Sequence, residues 1–142
     1  MKNNKLVMIM LIILIAITLV GAVAVVVVLK FTGEKEVKEP SIDEVLEASF
    51  DVPEITTNLA GSDFIRISFK IQTDSKEAKE EIEKRDFQVK NIIIHTLSEK
   101  KSEDIQGSQG QTQLESELKD KFNELMHEGK VEKVYITGSL LQ

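Results

Sequence analysis

The chain has no cysteine. This excludes disulfides, thiolate metal sites and a lipid-carrying cysteine, but leaves the redox compartment open, because a disulfide-free domain lives on either side of a membrane. Positive charge is also scarce: 18 lysines and arginines face 24 acids, a net −6. Beyond Lys30 the balance falls to −9, since all 24 acids but only 15 basic residues lie there. Nucleic-acid binding needs a concentrated basic surface, so this composition argues against it. The same charge works against binding of the soluble part to an anionic leaflet. No internal repeat is present, and low complexity is confined to a Glu/Lys alternation at 34–39 that reads as a hydrated tether.

What the chain does have is an apolar run from Leu6 to Leu29, 24 residues without one charge. Only Thr18 and Gly21 interrupt its Leu, Ile, Val, Met and Ala, and 17 of the 24 are Leu, Ile or Val. As a helix at ~1.5 Å per residue it would span about 36 Å, enough for a ~30 Å hydrocarbon core with some tilt. At roughly −0.3 to −0.6 kcal/mol per large aliphatic residue, insertion is favoured by about 5–10 kcal/mol. The run holds no ionisable residue, so it conducts no ions by itself. Gly21, Ala22 and Ala24 are small enough for close helix contact, without a full Gly-x-x-x-Gly pair.

Five residues precede the run, with Lys2 and Lys5 and no acid. Lys30, Lys35 and Lys38 follow it, alternating with Glu34, Glu36 and Glu39, so the lysine tally alone does not set direction. So short a tail is expected to stay cytoplasmic. The expected organisation is a cytoplasmic tail at 1–5, a transmembrane helix at 6–29, a charged linker at 30–40 and an extracytoplasmic domain at 41–142. A cleaved signal peptide competes, because Ala22-Val23-Ala24 mimics a small-x-small cleavage site. Against it, the apolar run continues through Val25-Val26-Val27-Val28-Leu29 where a polar stretch should begin.

The remaining 112 residues suffice for one small domain with a single core. Ser41-Ile42-Asp43-Glu44 has capping-box spacing, followed by a short apolar stripe of Ile42, Val45 and Leu46. An extended segment runs from Phe50 to Leu59, with Pro53 suited to an edge strand or its beginning. After a turn at 60–63, Ile65, Ile67, Phe69 and Ile71 alternate with Arg66, Ser68, Lys70 and Gln72, predicting one buried and one wet face. These two strands make a β-hairpin. Thr73-Asp74-Ser75 offers helix caps to a charged helix carrying Ala78 and Ile82. Phe87–Ser98 is apolar around most of its circumference and should be the buried helix. Gly107 and Gly110 break the pattern after a short turn at 102–105. A last helix is expected from about Thr112 to His127, with Gly129 as its C′ residue. Val134, Ile136 and Leu140 then share one side of a closing strand. The order predicts an α+β domain with its helices packed on one sheet.

Nothing in the pattern assembles catalysis or a cofactor site. His95, with Asn91 and Glu99 four residues away on either side, is weighed as a ligand or proton relay and reads as a partly exposed helix histidine. His127 suits the negative end of its helix. The acid clusters Glu77-Glu80-Glu81-Glu83 and Glu115-Glu117-Asp120 lack calcium-loop spacing. Glu80–Lys84 and Glu117–Lys121 read instead as i, i+4 pairs on solvated helices. The serines lack a Gly-x-Ser-x-Gly elbow, and Gly107-Ser108-Gln109-Gly110 lacks the length and lysine of a phosphate loop. No catalytic, cofactor or metal residue is therefore assigned, and no small-molecule substrate is expected.

The chain also resembles a known family. Four features carry the match in order: the anchor behind a very short tail; Thr57-Asn58-Leu59 before a Gly-containing turn and the alternating strand 64–72; Val89–Ser98 followed by Gly110, Leu114, Leu118, Asn123 and Glu124; and the ending Val131-Glu132-Lys133-Val134-Tyr135-Ile136-Thr137-Gly138-Ser139-Leu140-Leu141-Gln142. The whole chain is similar to the flagellar basal-body-associated FliL family. It departs from the family pattern at Asp86-Phe87, where a proline is common between the middle helices, a departure that would allow the two to run on as one. It departs again at Gly138-Ser139, often an aromatic position. The resemblance implies a stomatin/prohibitin-like domain that oligomerises into a ring or arc. It also implies a place beside the stator units of the basal body, supporting torque, motility and chemotaxis from the cytoplasmic membrane. The alternative, without the resemblance, is a generic anchored cell-envelope interaction or sensor domain.

Overall fold

A computed structural model describes residues 2–32 and 38–142. The chain divides into two compact units, Met1–Glu39 and Pro40–Gln142. The first holds α1, Lys2–Thr32, an unbroken helix of 31 residues. Its apolar residues run around the whole circumference, leaving no distinct apolar stripe, and its large aliphatic side chains are all exposed. The Thr18 hydroxyl is satisfied within the helix, donating to the Leu14 carbonyl at 2.8 Å. The helix outlasts the apolar run by Lys30, Phe31 and Thr32, so the first residues of the expected linker continue it. Most of the Glu/Lys alternation lies outside the described residues.

The second unit is α+β. In chain order it contains α2 (Ile42–Glu47), β1 (Ser49–Asn58), β2 (Phe64–Thr73), α3 (Lys76–Lys84), α4 (Asp86–Ser98), α5 (Ser102–Ile105), α6 (Gly107–Leu125) and β3 (Val131–Leu141). The strands form one antiparallel sheet in the order β1-β2-β3. The predicted hairpin and its alternation hold: Ile65, Ile67, Phe69, Ile71 and Thr73 are buried, while the intervening residues are not. Ile82 of α3, Val89, Ile93 and Leu97 of α4, Ile105 of α5 and Leu114, Leu118 and Phe122 of α6 complete a single core with that face. The capping box is present, with Ser41 N–H donating to Glu44 at 3.1 Å and Glu44 N–H to Ser41 Oγ at 3.3 Å.

Strict period-two reading fails where the edge strands bulge. In β1 the register shifts between Val52 and Ile55, so both are buried although three residues apart, and Pro53 sits in the bulge where its missing N–H costs nothing. In β3 the shifts fall beside Glu132 and Thr137. The second flips the expected face: Leu140 pairs with Arg66 on the outer side and is half exposed, and Leu141 takes the core side opposite Ile65. Val134 and Ile136 keep the inward side.

α3 and α4 are two helices, as the two stretches read along the chain, and do not run on as one: they are broken at Arg85, whose backbone (φ −94°, ψ 17°) leaves the helical range. The helices differ from expectation in two ways. α4 buries one stripe, not most of its surface: Phe87 and Ile94 are exposed because the core lies on one side only. α6 begins at Gly107, five residues before Thr112, and ends at Leu125. Gly110 is no breaker there: a Cβ on it would lie 2.7 Å from the Asp104 carbonyl oxygen, so α5 and α6 meet only because the position has no side chain. Gly129 lies beyond the cap, in the loop to β3, with φ +93° and no room for a Cβ beside Asp74.

Candidate functional site

His95 stands on the exposed face of α4, as do Asn91 and Glu99 beside it. Among the described residues no three His, Asp or Glu side chains converge in a way that could hold a metal ion. His127 is not in the last turn of α6 but two residues past it, exposed, in the loop that leads to β3. Gly107-Ser108-Gln109-Gly110 forms the first turn of α6 against α5.

The two acid clusters are divided by the fold into very different groups. Glu117 behaves as expected, pairing with Lys121 at 3.1 Å, and also with Lys100 at 2.7 Å. Lys121 in turn donates to the buried Thr96 hydroxyl at 2.9 Å, tying α6 to α4. The hydrogen-bonded Lys100 ammonium, against partial burial and with help from Lys121, holds the Glu117 carboxyl below its ordinary range. Glu80–Lys84 is not among the ion pairs formed; on that helix Lys79 meets Glu83 and Arg85 meets Glu81.

Glu81 is the largest departure from the solvated-helix reading. Its carboxylate accepts the backbone N–H of His127 at 3.0 Å and of Glu128 at 2.6 Å, and Arg85 Nε at 3.0 Å. Burial pushes this carboxyl up, but the Glu128 and His127 amides and the Arg85 guanidinium outweigh it, and its pKa is lowered. Asp74 clasps the same loop at its other end: its N–H donates to the Lys130 carbonyl and its carboxylate accepts the Lys130 N–H, both at 3.1 Å. Asn123 then brackets the first residue of β3, donating to the Val131 carbonyl at 3.1 Å and accepting its N–H at 2.7 Å. Glu115, reaching from α6, accepts the Ile136 N–H at 2.9 Å beside the β3 bulge. Sequence reasoning missed all four roles. Only Asn123 carried a signal, since an amide near a helix end has both a donor and an acceptor to offer a backbone.

The outer face of the sheet is laced with cross-strand pairs: Lys70 with Asp51 at 3.3 Å, Arg66 with Glu54 at 3.6 Å, and Tyr135 hydroxyl with Gln72 at 3.1 Å. In the second unit, large apolar side chains stay open in three places. These are Ile42 and Leu46 on α2, Phe87 and Ile94 on α4, and Phe64 with Leu140 at one end of the sheet.

The fold defines a class: a small α+β domain behind, among the described residues, one helix long and apolar enough to cross a membrane. Comparison with known proteins narrows it. Residues 49–142 match the family described as flagellar basal body-associated protein FliL. The flagellar protein FliL of Bacillus subtilis (strain 168) is 50% identical over 115 residues, covering 81% of this chain and 82% of that protein. The flagellar protein FliL of Aquifex aeolicus (strain VF5) is 29% identical over 93 residues, 63% of this chain and 58% of its own length. The chain belongs to the FliL family.

Proposed function

We propose that this protein is a non-enzymatic accessory of the flagellar motor, anchored in the cytoplasmic membrane by residues 6–29 with its N-terminus inside and residues 41–142 outside the cytoplasm. It supports stator function, torque and hence motility and chemotaxis through association of several copies at the basal body, in a stomatin/prohibitin-like arrangement. The family membership carries this reading, and the apolar helix α1 supports the anchoring.

Confinement to one membrane plane raises the effective concentration of the copies, so weak lateral contacts suffice for a ring or arc. The −9 charge of the soluble part opposes such contacts, which therefore need apolar anchors or charge pairs between neighbours. The domain alone is expected to sediment as a monomer, while the full chain in membranes crosslinks to itself and to a stator subunit. A deletion strain should regain torque from the full chain and not from residues 41–142 secreted without the anchor. Recovery with the unanchored domain would overturn the proposed role of the membrane.

A further inference from the structure

α2 is fixed firmly to the domain yet buries nothing of its own. Its start is held by the Ser41–Glu44 capping box, and Glu47 pairs with Lys76 at 3.1 Å. At its end the Ala48 carbonyl accepts both the Thr73 N–H at 2.9 Å and the Thr73 hydroxyl at 2.6 Å. Ile42 and Leu46, one helical turn apart on one face, are nevertheless 69% and 50% exposed. Helical spacing carries Asp43, Glu44 and Glu47 away from that face. Hydrogen bonds thus hold rigid a short amphipathic helix whose apolar face has no partner in the domain.

We propose that this face of α2 rests in the interfacial layer of the same bilayer that α1 crosses. The inference depends on the anchoring reading above. Chain length selects the occupant. Nine residues, 33–41, join Thr32 to Ile42, and a segment that long reaches at most about 32 Å even fully extended. Lys30 in the last turn of α1 is a residue type whose charged head settles at headgroup level, so the tether departs from the membrane surface itself. Among the open apolar spots of the domain, α2 is the one joined to the anchor by so short a tether. The charges of 30–41 cancel, three lysines against three glutamates, so the tether is not repelled by the surface. Tethering makes the contact intramolecular, and two aliphatic side chains can then suffice where a free peptide of six residues would not bind. The contact is apolar in character, and the −9 charge of the soluble part, repelled by anionic lipid, makes it strongest on a zwitterionic surface.

The absence of tryptophan makes a single introduced indole a clean reporter. The full-length protein is placed in phosphatidylcholine vesicles brominated on the acyl chains, as Leu14→Trp, Leu46→Trp and Phe87→Trp variants. Quenching of Leu14→Trp reports that α1 is embedded. Leu46→Trp is expected to be quenched about half as strongly and to emit further to the blue, whereas Phe87→Trp is unaffected. Ile42→Trp should repeat the Leu46→Trp result, and adding phosphatidylglycerol should weaken both. If Leu14→Trp is quenched while Leu46→Trp and Ile42→Trp behave like Phe87→Trp, the α2 contact is wrong and the anchor stands. If Leu14→Trp itself is unquenched, the anchoring reading fails and takes this inference with it. Emission of Leu46→Trp that follows the protein-to-lipid ratio and ignores bromination would assign the face to a second copy and overturn the proposal.

Discussion

α1 and β2 are built from much the same aliphatic residues and have opposite fates. The large side chains of α1 are all exposed, while Ile65, Ile67, Phe69 and Ile71 in β2 are each exposed by 1% or less. The difference lies in pattern, not in hydrophobicity. β2 alternates, so one face meets α3, α4 and α6 while the other carries Arg66 and Lys70 into water. α1 is apolar in every direction, and no single neighbour could cover it. An alternating element finds its partner within the domain; an uninterrupted one of this length is long and apolar enough to cross a membrane.

The strongest way to break the comparison is to give α1 a polar face. Leu14→Lys together with Ile17→Lys should cost roughly 5–7 kcal/mol of insertion, comparable with the whole driving force of the run. The doubly substituted chain should leave the membrane fraction on carbonate extraction. Retention there would mean that α1 is not what holds the protein to the membrane.

A smaller effect tests the other side. Phe69→Ala empties a buried site at the centre of the sheet and should cost about 3–5 kcal/mol, against about 0.5 kcal/mol or less for its neighbour Lys70→Ala. Leu14→Ala should leave the domain's unfolding unchanged. Equal losses from Phe69→Ala and Lys70→Ala in denaturant titration would mean that the two faces of β2 are reversed.

The smallest effect concerns a polar contact that neither pattern foretells. Glu81→Gln keeps one acceptor for the 127–128 loop but loses the charge and should cost about 1–2 kcal/mol. Because the folded carboxyl of Glu81 is held below its ordinary 4.5, its contribution is full above that value and disappears as pH falls through the lower, folded one. Glu117 acts in the same sense. Thermal unfolding followed from neutral pH to below 4 should therefore show a steeper acid loss in the parent than in Glu81→Gln. Parallel curves would show that the Glu81 contact contributes nothing to stability.

Much of this was legible in one dimension. The anchor-length apolar run, the hairpin, the α2 capping box and the α+β order follow from periodicity and end signals, which act over a few residues. Family membership was legible too, in the order and spacing of Thr57-Asn58-Leu59, the 64–72 alternation and the closing strand. Other features depend on residues distant in sequence. Whether Leu140 or Leu141 faces the core is decided by a bulge, and a bulge exists only in relation to the paired strand. Gly110 reads as a helix breaker until α5 is packed against it. Glu81 looks like any solvated helix acid, yet the N–H groups it accepts lie 46 and 47 residues further on. Local sequence determined which segments are helix, strand or membrane-length run, because the forces that choose them are local. Which face of β3 is inward, where α6 begins and what Glu81 holds were settled only when the chain closed on itself, because each depends on a contact that does not exist until then.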